Sequence, residues 1–171
     1  MPSSDTPEPL RFASQLYLQA PAGKVWEALV DPAVASLYYL APLLYPLKKA
    51  GGQVAYGNGE SVMISGIILD HRPGAALRHT FAFMQPDGTR GSESTVLYDL
   101  EAIGEELTLL RLVHGGFEGG DQGDFESISS GWPVILSSLK TLLETGRPLQ
   151  WPRRLPGHAQ VGPNAAASGV R

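Results

Sequence analysis

The sequence has no cysteine among its 171 residues. Disulfide bonds, thiolate nucleophiles and cysteine-based zinc sites are therefore excluded. Because this absence is typical of a reducing compartment, a cytoplasmic location is expected. No stretch approaches the roughly 20 apolar residues of a membrane-spanning helix. The first residues lack a basic segment followed by an apolar run, so a secretory signal is not expected either.

Basic residues are sparse outside the C-terminal tail. Residues 147–171 contain four arginines and no acid, and removing these four charges from the net −4 leaves −8 on residues 1–146. A nucleic-acid-binding face needs clustered lysine and arginine, so nucleic acid is not an expected partner. We interpret 147–171, which is rich in proline, glycine and alanine, as a flexible basic tail, and 1–10 as a disordered N-terminal tail.

The composition of 43% hydrophobic and 18% charged residues is that of an ordinary globular protein, and the length fits one domain, placed at residues 11–146. The domain begins with a strand at 12–18. A helix follows from Pro21 to Val30, since proline is tolerated in a first helical turn. Asp31 is a helix-capping residue followed by a proline, which predicts a second short helix through about Leu40.

Five antiparallel strands are predicted after the helices, at residues 53–57, 60–69, 76–83, 92–100 and 106–114. Asn58-Gly59 and Asp87-Gly88 are pairs typical of two-residue type I′ hairpin turns. Gly104 marks the centre of the last turn. The order of elements therefore predicts an α+β fold with an antiparallel sheet.

The last element is an amphipathic helix at 127–146. Trp132, Leu139 and their neighbours recur at the spacing of one helical face, and Gly146 followed by Pro148 is a stop signal. Pro133 lacks a backbone N–H, which predicts either a helix start or a bend at that point.

The hairpins fix which side chains share a face of the sheet. The Asp87-Gly88 turn pairs His79 with Val96, and a turn centred on Gly104 pairs Ser94 with His114. Tyr98 is then opposite Leu110. The predicted inner face consists of Leu77, His79, Phe81, Phe83, Val96, Tyr98, Leu100, Leu110, Leu112 and His114. The opposite face carries Arg78, Thr80, Asp99 and Arg111.

Four segments carry a resemblance to a known family. They are APAGKVWEALVDP (20–32), the Gly66 strand that leads to LRHTF (77–81), VLYDLEAIGEELTLLRLVHGGF (96–117) and GWPVILSSLKTLLETG (131–146). In order and spacing they resemble the activator of heat-shock-protein ATPase homologue family, within the SRPBCC (START-like, Bet v allergen-like) superfamily. The resemblance covers roughly residues 11–146.

The resemblance implies a helix-grip fold, in which a curved antiparallel sheet wraps around the long C-terminal helix with a hydrophobic pocket between them. A small hydrophobic or aromatic ligand is expected in this pocket, and no cofactor is expected. The family often has tryptophan near the end of the second helix, where this chain has Tyr38 and Tyr39. A more polar pocket mouth is therefore expected.

Candidate chemistry centres on the two inward-facing histidines. With the predicted register, His79 and His114 lie about 12 Å apart, too far to share a metal ion whose ligands lie about 2 Å from it. We interpret each as a hydrogen-bonded residue of the inner layer rather than an acid–base catalyst.

No G-x-S-x-G elbow is present, and the glycine-rich stretch HGGFEGGDQGDF (114–125) matches neither a phosphate-binding loop nor a calcium loop. It is interpreted as a mobile gate with Asp124 near a helix start.

Three functions remain open at this stage. The first is binding of a small hydrophobic or aromatic molecule between the sheet and the last helix. The second is a chaperone-binding role of the kind that the family name describes. The third is a polyketide cyclase or hydrolase reaction that uses the inner-face histidines. The residues expected to line a ligand site are Tyr38, Tyr39, His79, Phe81, Phe83, Tyr98, His114, Phe117 and Trp132.

Overall fold

A computed structural model of the chain describes residues 8–117 and 122–150. Residues 1–7, 118–121 and 151–171 lie outside this range, so the expectations for most of both tails and for the middle of the glycine-rich stretch do too. The elements are β1 (Phe12–Leu18), α1 (Ala22–Val30), α2 (Pro32–Tyr38), β2 (Gln53–Gly57), β3 (Val62–Arg72), β4 (Ala76–Phe83), β5 (Ser94–Gly104), β6 (Leu107–Gly115) and α3 (Gln122–Thr145).

The sheet has six antiparallel strands in the order β1-β6-β5-β4-β3-β2. It curves around α3, whose buried side chains, among them Trp132, Ile135 and Leu139, pack into the same core as the inner face of the sheet. The two short helices follow β1, and both contact α3. The predicted α+β helix-grip arrangement is therefore confirmed.

The start of α2 shows how a local signal sets an element boundary. The Asp31 carboxylate accepts a hydrogen bond from the Ala33 amide at 2.8 Å, and Pro32 occupies the first helical turn. The side chain satisfies a backbone donor that the helix itself leaves unpaired. The predicted cap is confirmed.

The register across β4 and β5 is as predicted, with His79 opposite Val96 and Leu77 opposite Tyr98. Across β5 and β6 the prediction is wrong by two residues, because Tyr98 pairs with Leu112 rather than Leu110. Strand β5 extends to Gly104 and β6 begins at Leu107, so the turn is centred one residue later than expected. A two-residue shift keeps every side chain on its predicted face, because side chains alternate with a period of two.

The predicted type I′ turns are wrong. A type I′ turn needs positive φ at both central residues. Gly59 and Gly88 have positive φ, but Asn58 and Asp87 do not, because no non-glycine residue in the described part of the chain has a positive φ. At the second hairpin the Gly88 amide donates to the Gln85 carbonyl at 2.9 Å and Gln85 pairs with Thr89. Three residues, 86–88, therefore form the loop.

Helix α3 begins five residues earlier than predicted and continues through Pro133. Asp124 lies in its first turn, as expected, where a negative charge is favoured by the helix dipole. Pro133 is exposed on the outer side of the helix, so its ring projects away from the sheet. The backbone N–H that this position lacks leaves an incomplete hydrogen-bond ladder in the middle of the helix.

Candidate functional site

An apolar cavity of about 60 Å³ lies between α3 and the end of the sheet formed by β3 and β4. Aliphatic and aromatic side chains form nearly all of its surface. The residues that line it are Tyr39, Leu40, Ile64, Phe81, Phe83, Ser127, Ile128, Gly131, Trp132 and Ile135. Leu40 and Phe83 are only partly buried and Ser127 is exposed, so these three residues form the rim.

A hydrogen-bonded chain ties α3 to the sheet beside this cavity. The indole N–H of Trp132 donates to Nδ1 of His114 at 3.0 Å. Nε2 of His114 lies 2.7 Å from the Ser94 hydroxyl, which in turn donates to the Phe81 carbonyl at 3.3 Å. An indole N–H can only donate, so Nδ1 of His114 is unprotonated and Nε2 carries the proton. Each donor in this series of hydrogen bonds therefore has an acceptor.

This arrangement excludes His114 as a general base toward Ser94. The nitrogen that faces the serine is already protonated, and the other nitrogen is occupied by Trp132. Burial, followed by repulsion from His79, lowers the pKa of His114 to about 3. The imidazole is therefore neutral at physiological pH, and the serine–histidine pair joins the helix to the sheet rather than forming a nucleophile.

His79 has a different environment on β4. Its Nδ1 donates to the Thr80 carbonyl at 2.7 Å, while the Ile67 amide, on the neighbouring strand, binds the Thr80 hydroxyl at 2.9 Å. At this point a backbone-to-side-chain hydrogen bond thus replaces a regular backbone hydrogen bond between β3 and β4. Gly66 makes the close approach of the strands feasible, because a Cβ at that position would overlap the Thr80 carbonyl oxygen.

The other nitrogen of His79 has no partner. Its Nε2 is buried and makes no hydrogen bond within the described residues, and the side chain is only 1% exposed. Since Nδ1 holds the proton, Nε2 presents a lone pair that can only accept a hydrogen bond. Burial outweighs the hydrogen bond to Thr80 and lowers the pKa of His79 to about 4.

Four buried tyrosines cluster at the cavity: Tyr39 lines it, and the other three contact the Tyr39 or Trp132 ring. Tyr39 stacks on Tyr56 with ring centroids 4.3 Å apart, and both Tyr39 and Tyr98 meet the Trp132 ring edge-on. The Tyr38 hydroxyl donates to the Ala28 carbonyl at 2.8 Å. Burial, with mutual repulsion of the ionised forms as a smaller cause, holds the pKa values of Tyr38, Tyr39 and Tyr98 well above 10.

The structure places the nine expected site residues in two groups. Tyr39, Phe81, Phe83 and Trp132 line the cavity. The other five, which lie in the packed interior away from its surface, are Tyr38, His79, Tyr98, His114 and Phe117. Phe117 packs against the His114 ring and against Phe125 of α3, with centroid distances of 5.0 and 5.5 Å.

Six lining residues were not among the expected ones. Ile128 and Ile135 are one helical turn to either side of Trp132, so the 3.6-residue period could have identified both. Gly131 interrupts the apolar face of α3, and a glycine in that position signals close packing: a Cβ there would lie 3.3 Å from a Leu40 methyl carbon. For Ser127, an exposed polar residue, the sequence contains no signal.

The corrected register also changes the distance between the histidines. His79 and His114 both pair with Val96, so they lie in one row and two strand spacings apart, about 10 Å instead of about 12 Å. This separation is still too large for a shared metal ion. Within residues 8–117 and 122–150, no group of three or more histidine, aspartate or glutamate side chains could hold one. Nor does that part of the chain contain a helix long and apolar enough to cross a membrane.

A curved antiparallel sheet that grips a long C-terminal helix, with an apolar cavity between the two, defines a helix-grip domain of the START-like class. The sequence profile described as "Activator of Hsp90 ATPase homolog 1-like protein" matches residues 19–144, so the chain belongs to that family, within the SRPBCC superfamily. No curated protein matches the chain.

Solved structures share the fold at low sequence identity. DynU16, from the dynemicin biosynthetic locus, has a TM-score of 0.66 and 22% identity over 83% of this chain and 50% of its own, so the chain spans half of its length. A protein from Arthrobacter aurescens has a TM-score of 0.69 and 18% identity over 86% of this chain and 94% of its own. The Aha1 dimer from Colwellia psychrerythraea has a TM-score of 0.59 and 17% identity over 80% and 97%. These similarities concern the fold alone.

Proposed function

We propose that the protein binds a small apolar or aromatic molecule in the cavity between α3 and strands β3 and β4. The observation that carries the proposal is the cavity itself: its lining is almost entirely hydrocarbon, and it opens to the surface at the rim. Small-molecule sites are typically concave, apolar and equipped with few polar groups. Family membership supports the proposal, since the superfamily fold is generally used to bind small ligands.

The size of the cavity limits what it can hold without rearrangement. Its volume of about 60 Å³ is less than half of the roughly 150 Å³ at which an engineered apolar cavity accepts benzene. A single ring therefore enters only when the rim side chains Leu40 and Phe83 move outward. A larger ligand places one ring or the end of an alkyl chain in the cavity and leaves the rest at the surface.

The charge state of the interior narrows the ligand class further. The buried polar residues of the described part of the chain are histidine, serine and threonine, with no lysine, arginine, aspartate or glutamate among them. A charged group inside would lose its hydration without gaining a counter-charge, which is strongly unfavourable. The end of the ligand that enters the cavity is therefore neutral.

An enzyme that uses the inner-face histidines has less support. Both nitrogens of His114 are hydrogen-bonded within the protein, and Nδ1 of His79 holds the Thr80 carbonyl. A general base must reach the proton that it removes, and His114 has no free nitrogen with which to do so. A chaperone partner, suggested by the family's description, stays a prediction.

Toluene is a suitable probe, titrated into the ¹⁵N-labelled full chain and followed by NMR. At about 0.6 kcal/mol for each of its seven non-hydrogen atoms, the dissociation constant is on the order of 1 mM. Saturable shifts are expected for the amides of Phe83, Gly131 and Ile135, which border the cavity.

Gly131→Leu supplies the decisive comparison, because the new side chain starts 3.3 Å from Leu40 and extends into the cavity. Toluene affinity is expected to fall at least tenfold. Gly123→Leu makes the same change on the same helix, at a position where an added Cβ meets nothing within 4 Å, and should bind as the wild type does. Equal affinity in the two variants, or shifts that do not saturate, would refute the proposed site.

A further inference from the structure

The unpartnered nitrogen of His79 calls for a physical explanation. A buried acceptor without a hydrogen bond is unfavourable, and such atoms are rare in native proteins. Turning the ring would break the hydrogen bond that Nδ1–H donates to the Thr80 carbonyl at 2.7 Å, and protonating Nε2 would place an uncompensated charge in the core. The acceptor is therefore fixed in place, and among the buried side-chain atoms of the described residues only Ser129 Oγ also has no partner.

His79 is close to the cavity that the proposed ligand occupies. On β4 the inner-face positions are His79, Phe81 and Phe83, and the last two line the cavity. Successive inner-face positions are about 7 Å apart along a strand. His79 therefore lies one such step behind the cavity wall, a distance that a polar substituent on a ring can span once the Phe81 ring moves aside.

Aromatic rings connect the cavity wall to His79. Tyr39 lines the cavity, and Tyr98 lies beside His79 with ring centroids 6.2 Å apart. Both tyrosines meet the Trp132 ring edge-on, with ring centroids 6.1 and 6.0 Å apart. A continuous series of aromatic ring contacts thus leads from the cavity wall to His79.

We propose that His79 Nε2 is the polar anchor of the ligand site and that the ligand is an aromatic or alicyclic molecule with a neutral hydrogen-bond donor, such as a hydroxyl group, on its inner end. The donor type follows from the lone pair on Nε2, which can only accept. Neutrality follows from the absence of buried counter-charges in the described part of the chain. This inference rests on the proposed function.

Phenol and toluene form a matched pair of probes, since a hydroxyl replaces a methyl group of similar size. Both are titrated into the wild type and into His79→Phe, which keeps a planar ring but removes the acceptor. The ratio of the phenol and toluene affinities is expected to shift by roughly 3- to 10-fold toward toluene in His79→Phe, the worth of one hydrogen bond. Toluene affinity itself should change less than twofold.

The outcomes separate the two proposals. If toluene binds and the ratio is the same in both proteins, the anchor is refuted while the proposed site stands. If neither probe binds the wild type, both are refuted. Should His79→Phe fail to fold, ¹⁵N-histidine NMR of the wild type decides: the Nε2 resonance of His79 should move with phenol and not with toluene, and an equal response to both contradicts the anchor.

Discussion

Two buried neutral histidines make the stability of the protein depend on pH in a range where few other groups titrate. The pKa of His79 is lowered to about 4 and that of His114 to about 3, from an ordinary value of 6.5. The unfolded chain therefore takes up these protons first as the pH falls. The stabilisation that the neutral imidazoles contribute is complete above pH 6.5 and is lost progressively as the pH falls from 6.5 to about 4 for His79 and to about 3 for His114.

The size of the effect follows from the same values. At pH 5 the protonated form of an unfolded histidine of pKa 6.5 is about 30 times more populated than the neutral form, whereas both folded histidines remain mostly neutral. Each therefore contributes a loss of about 2 kcal/mol between pH 7.5 and pH 5, and the pair about 4 kcal/mol. This is a large share of the 5–15 kcal/mol typical of a whole domain.

Urea unfolding followed by circular dichroism at pH 7.5 and pH 5.0 measures this loss. His79→Phe removes one of the two groups and should reduce the loss to about 2 kcal/mol, whereas a loss that stays near 4 kcal/mol would contradict the part assigned to His79. The carboxylates contribute mainly below this range. A wild-type loss below about 1 kcal/mol would refute the assignment of both histidines as buried and neutral.

Three substitutions test the packing by thermal or chemical unfolding. Gly66→Ala forces a Cβ into the neighbouring strand's carbonyl and should destabilise by more than about 3 kcal/mol, whereas Gly104→Ala, in open space, should change little. Trp132→Phe leaves Nδ1 of His114 unpartnered and should cost about 1–3 kcal/mol; no loss would contradict the bond. Pro133→Ala restores a backbone N–H on the exposed side of α3 and should stabilise the protein by about 1–3 kcal/mol. A destabilised variant would contradict the view that Pro133 leaves a helical hydrogen bond unmade.

Much of the fold could be predicted because short-range signals determine it. Asp31 and Pro32 fix the start of α2, and the Asp87-Gly88 hairpin fixes the register of β4 on β5. The error of two residues between β5 and β6 left the inner face intact, since alternation preserves the face under any even shift. The turn type was beyond prediction, because both type I′ turns and three-residue loops favour glycine at the same place.

The site was less predictable, because it depends on the exact position of α3 along the sheet. Helical spacing identified Trp132 as sheet-facing, but only the packed structure brings its N–H to Nδ1 of His114. The same spacing cannot give a cavity volume, which depends on how completely side chains from three elements fill the space between them. For this reason Tyr98 and His114 were expected at a pocket wall and lie instead in packed surroundings.

A crystal structure of the protein soaked with bromobenzene tests the central claim most directly, because bromine can be located by its anomalous scattering. If the ligand site is where we propose, one dominant bromine peak lies between α3 and β4, in contact with Phe83 and Ile135, with the Leu40 and Phe83 side chains displaced outward. A dominant peak elsewhere on the protein, or none at a concentration where toluene saturates the NMR shifts, would contradict it.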